Sequence, residues 1–438
     1  MSSEVLEHLL ASLCLLVADC PHATPEWTAS GVVVLRNQNI KGGRLDLSAP
    51  SFTDEAHYLG RIRRAAPQEG DLVITREAPM GEVCQIPAGL KCCLGQRQVL
   101  LRPDPEKVDS RFLLYALQSP YLQHQIGWNE GTGSTVSNLR IPVLEALKVP
   151  TPSVATKREV ASVLGALDDR ITLLRETNAT LEAIAQALFK SWFVDFDPVR
   201  AKAEGRQPEG MDATTAALFP DSFEESELGL VPKGWGVVPF LDACDLQGGA
   251  QPPAATFIDE PRDGYVRLLQ IRDFSTDAHK TYIPDTGKLK KVTEDDVLIG
   301  RYGSASGDKA KDSLGRVCRG LSGSYNVALM KLCPVQVGRE YALQLVSDYS
   351  FYGYLQGVSS KAVQSGFSKA ELGQYKVIMP PSDLAEAFEQ FGKAVWERVK
   401  ANRELAQTLT QLRDTLLPRL ISGQLRLPEA ESLLENAL

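Results

Sequence analysis

Two long stretches of the chain carry apolar residues at alternating steps of four and three, the spacing of coiled-coil helices. In the first stretch the positions are Val160, Leu164, Leu167, Ile171, Leu174, Leu181, Ala185, Leu188 and Trp192. In the second they are Leu384, Phe388, Phe391, Val395, Leu405, Leu409, Leu412 and Leu416. The pattern predicts two long helices that pack against each other, as opposed to two unrelated amphipathic helices that each pack on their own domain.

Polar residues interrupt both apolar seams. Asn178 and Asn402 fall at a positions of the heptad, where a buried asparagine fixes register at some cost in stability. If the helices are antiparallel with aligned ends, Asn178 lies opposite Arg398 and within a turn of Asn402. We therefore predict one polar layer of these three side chains. Proline is expected to close both helices, with Pro198 shortly after the first and Pro418 inside the end of the second.

In the remainder of the chain, short β-rich runs alternate with Gly and Pro, and the sequence contains an internal repeat. The segment EGDLVITR (residues 69–76) returns as EDDVLIGR (residues 294–301), and LKVPTPS (residues 147–153) returns as YKVIMPPS (residues 375–382). The order and the spacing of the repeated segments agree. The sequence predicts a mixed α/β fold of two domains in tandem pseudo-repeat, separated by two long antiparallel coiled-coil helices.

Composition restricts the function classes. The 438 residues carry a net charge of −8, which argues against a protein that coats polyanions indiscriminately, so any contact with nucleic acid must come from local patches. Eight cysteines and five histidines show no paired metal-ligand spacing. The apolar run at residues 9–18 is too short to span a bilayer. These features favour a cytoplasmic protein without a metal site.

Local basic excess and small polar loops are the places where this chain could contact nucleic acid. The cations follow β-rich runs in both halves, and the loops at residues 130–138 and 359–368 occupy matching places. Hydroxyl, amide and cationic side chains there can bond to phosphates or base edges. The candidates are Arg61, Arg76, Ser134, Thr135, Asn138, Arg301, Tyr302, Ser304, Lys361 and Gln364. Ordinary solvated surface and polar hairpin turns are the competing interpretations.

The segment ALFKSWFVDFDPVRAK (residues 187–202) is the strongest candidate for chemistry or docking. Asp195 and Asp197 could form a catalytic pair, but no general acid or metal ligand accompanies them. We interpret them as the end of a helix, with Trp192, Phe193 and Phe196 as a packing or docking patch and as candidates for partner binding. GSASGDK (residues 303–309) lacks the ending of a phosphate-binding loop. No catalytic residue is predicted.

Several phrases resemble the DNA-specificity subunit of type I restriction-modification enzymes. They are ALFKSWFVDFDPVRAKAEG, SELGLVPKGWGVVPFLDACDL, DVLIGRYGSASGD, GLSGSYNVALMKL, GTGSTVSNLRIPVLEALKVPTP and LLPRLISGQLRL. Their order and the internal duplication extend the resemblance over nearly the whole chain. One departure is that VPKGW (residues 231–235) opens the second half but has no counterpart in the first, which leaves the first domain's start open.

The resemblance implies a non-catalytic subunit whose two target-recognition domains each read one half of a bipartite site in double-stranded DNA. The implied divisions are recognition domains at 1–153 and 231–382, spacer helices at 154–197 and 383–427, a linker at 198–230 and a tail at 428–438. The implied partners are two modification (methyltransferase) subunits and the restriction (translocase and nuclease) subunits. No cofactor is expected on this chain, and S-adenosylmethionine, ATP and magnesium are expected on the partners. The alternative is a coiled-coil assembly adaptor without DNA readout.

Overall fold

A computed structural model describes residues 6–128, 138–303, 309, 312–359 and 366–430. The chain divides into two compact units, one formed by Met1–Arg175 with Glu404–Leu438 and the other by Glu176–Arg403. We call these the first and the second unit. Each takes in one part of both long helices, so the units are larger than the recognition domains expected from the sequence.

The main sheet of the first unit is antiparallel and has the strand order Cys14–Asp19, Gln98–Pro103, Leu72–Thr75, Val83–Gln85. A second sheet has the order Ser51–Thr53, Val32–Leu35, Cys92–Leu94, and its last two strands are parallel. The other strands of the first unit form two antiparallel pairs, Leu6–Leu9 with Lys148–Thr151 and Ile40–Lys41 with Arg44–Leu45. The shorter α-helices are Glu55–Arg61, Ser110–Gln118, Pro120–Trp128 and Ile141–Glu145.

Local sequence explains how these elements form. Leu72–Thr75 is buried along its whole length, as its continuous apolar run requires of a central strand. Asp54 and Asp109 start the helices that follow them, because their carboxylates accept hydrogen bonds from the free backbone N–H groups of His57 and Phe112. The helix Ser110–Gln118 packs its apolar side chains into the core beneath the main sheet.

The second unit repeats this arrangement. Its main sheet has the order Cys244–Gly248, Leu329–Pro334, Val297–Gly300, Val317–Arg319, again antiparallel. Its second sheet has the order Tyr282–Pro284, Tyr265–Leu269, Gly323–Tyr325, Lys291–Val292, with the two middle strands parallel. Gly236–Pro239 pairs with Lys376–Met379 as Leu6–Leu9 pairs with Lys148–Thr151. The predicted internal repeat is therefore confirmed, and both halves open on an equivalent strand.

Further elements of the second unit are a hairpin and several helices. The hairpin joins Phe223–Ser226 to Gly229–Pro232. The shorter α-helices are Asp197–Ala203, Ala213–Ala217, Phe240–Ala243, Arg339–Ser347, Tyr349–Ser359 and Lys369–Leu372. Short 3-10 turns occur in both units, at Leu10–Leu13, Asn37–Asn39, Ala254–Thr256 and Ile271–Phe274.

The two long helices are Val154–Phe193 and Ser382–Ile421, with 40 residues each. We call them the first and the second long helix. The two prolines lie where the sequence predicts them, shortly after the first long helix and inside the end of the second. The first long helix ends before Phe196, whose left-handed backbone (φ 57°) turns the chain, and Pro198 lies in the first turn of the next helix. Pro418 lies inside the second long helix.

Within each unit the two long helices run antiparallel. In the first unit Asp168 meets Arg413, and in the second Asn178 meets Asn402 while Trp192 meets Phe388. Buried positions along the first long helix include Val160, Leu164, Leu167, Ile171, Leu174 and Ala185. The heptad pattern of the first helix therefore identified the buried face, and the predicted packing of the two helices is confirmed.

The polar layer is present in part. Asn402 Nδ2 donates to Asn178 Oδ1 at 2.8 Å, and Asn178 Nδ2 donates to the carbonyl of Val399 at 3.2 Å. Both asparagines are buried, whereas Arg398 is exposed, so its predicted place in the layer is wrong. The reason is that Trp396 and Val399 are buried here, one position beyond Val395 and Arg398 of the strict heptad, and the buried face returns to the heptad at Asn402.

Removing half of the asparagine pair should destabilise the second unit. In Asn402→Leu, the buried Asn178 Oδ1 loses its donor, and we expect unfolding to become easier by about 1–3 kcal/mol. The matched control is Arg398→Leu on the same helix, whose exposed side chain should change stability by less than about 0.5 kcal/mol. Chemical denaturation measures both. Equal losses in the two variants would contradict the pairing.

Candidate nucleic-acid interface

Five of the ten candidate DNA contacts lie outside the described residues. They are Ser134, Thr135, Ser304, Lys361 and Gln364. The other five fall into three places in the fold. Arg61 ends a short helix of the first unit, Arg76 and Asn138 lie together beside its main sheet, and Arg301 and Tyr302 follow the equivalent strand of the second unit.

Arg61 has a structural role. Its side chain is buried, and its guanidinium donates to the carbonyls of Leu94 (2.9 Å), Ala23 (3.0 Å), Pro21 (3.3 Å) and Gly95 (2.8 Å). Four of the five N–H donors of an arginine are thereby used within the unit. The structure contradicts the predicted DNA contact for this residue, because a guanidinium held in this way ties two loops together and does not face a phosphate.

Arg76 lies directly after the central strand Leu72–Thr75 and bonds in three directions. Its Nε donates to the carbonyl of Leu139 at 2.9 Å, Nη1 meets Asp19 Oδ1 at 2.9 Å, and Nη2 donates to Asn138 Oδ1 at 3.3 Å. The backbone N–H of Leu139 donates in turn to the carbonyl of Arg76 at 2.9 Å. Only 12% of the Arg76 side chain is exposed, so this arginine holds residues 138–139 against the strand.

Asn138 continues this network toward the surface. Its Nδ2 donates to Glu77 Oε1 at 2.7 Å, and Glu77 Oε2 meets Arg97 Nε at 3.1 Å. Arg97 has a left-handed backbone (φ 64°), and 56% of its side chain is exposed. We call Asp19, Arg76, Glu77, Arg97 and Asn138 the polar cluster. The Asn138 amide is oriented by Arg76 at its oxygen and by Glu77 at its nitrogen, and the most exposed side chain of the cluster is the cation Arg97.

Arg301 occupies the equivalent position in the second unit. Its Nε donates to the carbonyl of Phe367 at 3.2 Å, and its backbone N–H donates to Ala328 at 2.8 Å. Its guanidinium carbon lies 5.1 Å from the centre of the Tyr302 ring. Tyr302 forms a bridge with Gly366, where an added Cβ would lie 2.5 Å from the ring. Glycine at 366 is therefore what allows this close contact.

A further basic residue of the second unit, Lys309, is also turned inward. Its Nζ donates to the carbonyls of Ser347 and Asp348, at the end of the helix Arg339–Ser347, where a cation satisfies free carbonyl groups. Burial lowers its pKa, and the nearby charge of Asp348 opposes that shift. The basic residues of the sequence therefore do not all contribute to a surface patch.

The predicted docking patch is part of a core. The exposed fractions of Trp192, Phe193 and Phe196 are 7%, 3% and 6%, and all three belong to the apolar cluster of the second unit. The centre of the Phe193 ring lies 5.0 Å from that of Tyr341 and 5.3 Å from that of Phe388. Of the two alternatives, packing and docking, the structure favours packing, because the aromatic partners of these side chains lie within the same unit.

The two aspartates of this segment have local roles. Asp195 pairs with Lys190 and, through its carbonyl, with Arg200, while Asp197 Oδ2 accepts from Ser191 Oγ at 2.7 Å. These bonds shape the turn between two helices, in agreement with their interpretation as the end of a helix. Within the described residues no group of three or more His, Cys, Asp or Glu side chains could hold a metal ion.

Two further properties concern the environment of the chain. None of the helices in the described ranges combines the length and the apolar character needed to cross a bilayer. All eight cysteines are free thiols. Burial raises the pKa of Cys84 and of Cys92 to about 12, so neither ionises near neutral pH.

Comparisons with known proteins agree with this architecture. A family model described as the type I restriction modification DNA specificity domain matches residues 31–183. The chain is 24% identical over 380 residues to the specificity subunit of the type I restriction enzyme MjaIX of Methanocaldococcus jannaschii, covering 82% of this chain and 79% of that one. It is also 24% identical over 348 residues to the HindI specificity subunit of Haemophilus influenzae, covering 68% and 73% of the two chains.

A solved structure supports the fold. The crystal structure of the S subunit of a type I restriction-modification system from M. genitalium aligns with a TM-score of 0.54 and 15% identity, over 96% of this chain and 97% of that one. This likeness concerns the fold, in which the duplicated units and the paired long helices are the main features. Residues 31–183 thus match the type I restriction-modification DNA specificity domain, and over most of its length the chain is similar to specificity subunits of type I restriction enzymes.

Proposed function

We propose that this chain is the non-catalytic subunit that selects the DNA site for a type I restriction-modification complex, with each unit reading one half of a bipartite site. The observation that carries the proposal is the duplication of one fold, including its arginine. In both units an arginine follows the third strand of the main sheet and bonds to a carbonyl of the segment that leads back toward a long helix. Two copies of one reading unit fit a target with two separated halves.

The charge distribution supports site-selective binding over general binding to DNA. A net charge of −8 repels a polyanion, so attraction must come from a few exposed cations such as Arg97. Few phosphate contacts give a weak and only moderately salt-dependent background affinity. Discrimination between DNA sequences then depends on contacts to the bases, as a specificity subunit requires.

The chemistry of the complex belongs, in this proposal, to partner subunits. Two modification subunits supply methyl transfer with S-adenosylmethionine, and restriction subunits supply ATP-driven translocation and magnesium-dependent cleavage. This chain binds none of these cofactors and contributes the DNA sequence information. The free thiols fit a reducing compartment, and we place the complex in the cytoplasm.

Methylation mapping tests the proposal. Genomic DNA from cells that express this chain with its cognate modification subunit is compared with DNA from cells that express the modification subunit alone. We expect a split motif with a fixed unread gap that appears only when both subunits are present. The same motif in both samples would show that the specificity lies elsewhere.

The alternative, an assembly adaptor without DNA readout, predicts a different outcome. A stable complex of this chain with the modification subunit that methylates no new motif would favour the adaptor. Binding to a duplex should be compared at about 50 and 200 mM salt, because attraction to phosphates falls steeply over that range. A sequence preference that survives at the higher salt separates a reader from a protein held only by phosphates.

A further inference from the structure

In each unit an arginine follows the third strand of the main sheet, and the two arginines bond to backbone carbonyls at equivalent positions. The segments EGDLVITR and EDDVLIGR end in Arg76 and Arg301, and each Nε donates to a backbone carbonyl, that of Leu139 or that of Phe367. Leu139 and Phe367 are 0% and 2% exposed. The two units differ widely in sequence, yet both contain this contact at equivalent positions.

This contact fixes a short piece of backbone in each unit. We call residues 138–139 and 366–367 the return segments. In the first unit, Leu139 is held by its buried side chain and by hydrogen bonds in both directions with Arg76. In the second, Phe367 is held by its buried side chain and by Arg301, and Gly366 is bridged to Tyr302. A segment attached at several points has little freedom left to lose when it binds DNA.

The geometry of Arg76 argues against a direct phosphate contact. Its three bonding directions end on Leu139, Asp19 and Asn138, and the Asp19 carboxylate compensates its charge at 2.9 Å. Its effect on a ligand must therefore pass through Asn138, whose amide it orients together with Glu77. An oriented asparagine amide can pair with an adenine edge, whereas a freely rotating one pairs poorly.

We infer that Arg76 and Arg301 are positioning residues, each of which sets the readout of one half of the bipartite site by holding the return segment of its own unit. This inference rests on the proposed function. It assigns a separate half of the target to each arginine, so damage to one leaves recognition of the other half intact. A phosphate-binding arginine would behave differently, because its loss weakens binding to all sequences alike.

The test uses the complex of this chain with its modification subunit and the motif found by methylation mapping. Three duplexes carry the full motif, a scrambled first half or a scrambled second half. Arg76→Lys, Arg76→Gln, Arg301→Lys and Arg301→Gln are compared with the wild type across a salt series. Arg63→Gln and Arg262→Gln are the matched controls, since each removes an exposed arginine from the same unit.

We expect the Arg76 variants to lose about tenfold or more of the preference for one half, and the Arg301 variants to lose the preference for the other half. Lysine should rescue neither, because it keeps the charge but lacks the planar group that bonds in fixed directions. The slope of log affinity against log salt should stay unchanged. Rescue by lysine, or a slope reduced by about one with equal weakening on all three duplexes, would identify a phosphate contact and overturn the inference.

A loss of folding is separated from a loss of positioning by a second variant. Thermal unfolding is recorded for every variant, and Asp19→Ala removes the acceptor of Arg76 Nη1 together with the contact of Asp19 to the exposed His22 side chain. It should weaken discrimination of the same half as Arg76→Gln, and an effect on both halves alike or on neither would contradict the inference. A wild-type complex that does not distinguish the three duplexes would refute the proposed function itself, whereas discrimination that is intact in every folded variant would refute the inference alone.

Discussion

Replacing Asp168 with alanine is expected to destabilise the first unit by about 3–5 kcal/mol, the range for removing one partner of a buried ion pair. Its carboxylate accepts hydrogen bonds from Arg413 (2.6 Å), Arg44 (3.1 Å) and Tyr115 (2.8 Å). The exposed fractions of the Asp168 and Arg413 side chains are 17% and 14%. The variant would leave two guanidinium groups and a phenol without their common acceptor in a poorly hydrated site.

The pH dependence of stability follows from the same contacts. Burial of the Asp168 carboxyl acts to raise its pKa, but the hydrogen bond and charge of Arg413, together with Tyr115 and Arg44, outweigh burial and hold the pKa below its usual range. A depressed pKa contributes stability that is fully present above the unfolded value of about 3.9 and is lost as the pH falls through the folded value. Asp168→Asn should therefore flatten the acid side of the stability profile below about pH 4.

Hydrogen exchange resolved by peptide measures the destabilisation of the first unit by Asp168→Ala separately from the second unit. Core strands such as Leu72–Thr75 should exchange on the order of a hundredfold to a thousandfold faster in Asp168→Ala. The control is Asp169→Ala at the next position, whose side chain is 67% exposed and pairs with Arg111. A surface pair of this kind contributes less than about 1 kcal/mol. Equal acceleration in both variants would remove the special role of Asp168.

The second large effect is expected from Phe193→Ala in the second unit. The ring is 3% exposed and lies among Phe189, Trp235, Tyr341 and Phe388, with centres 5.0–5.9 Å apart. Truncating a buried phenylalanine costs about 3–5 kcal/mol, because the apolar contacts are lost and a cavity remains. The edge-on contacts between rings add to this cost.

The control for Phe193→Ala is Val194→Ala, one residue along the chain, where the side chain is 41% exposed. We expect exchange in Val297–Gly300 to accelerate strongly in Phe193→Ala and little in Val194→Ala. Both variants should also be tested for capture of the modification subunit at a temperature where they remain folded. A Phe193→Ala protein with wild-type stability but lost capture would restore the docking patch and refute the core assignment.

The long helices and the internal repeat could be predicted because their signals are local or repeat along the chain. A face such as Val160, Leu164, Leu167 and Ile171 is visible in the order of residues alone. The second helix shows the limit of that reasoning. Because an α-helix has 3.6 residues per turn, positions counted strictly by sevens drift around the helix surface. The count therefore assigned Arg398 to the buried position that Val399 occupies in the structure.

The site residues could be predicted less well, because their roles depend on partners far away in sequence. Nothing near Trp192 or Phe193 in the chain shows that Trp235, Tyr341 and Phe388 surround them. Arg61 and Arg97 look alike as basic residues, yet one is buried under four carbonyls and the other is exposed. The signal that could have separated Arg76 and Arg301 from other arginines was their equivalent place in the repeat.

The division of the first unit between two parts of the chain has a consequence for biosynthesis. Its core includes Leu416, Leu417 and Leu420 of the second long helix beside Leu164 and Ile171 of the first. The ribosome makes all of residues 176–403 between these parts, while the second unit is one continuous segment. Since domains fold as their segments emerge, the unit that begins first is completed last, and until then its apolar helix face is a surface that chaperones can bind.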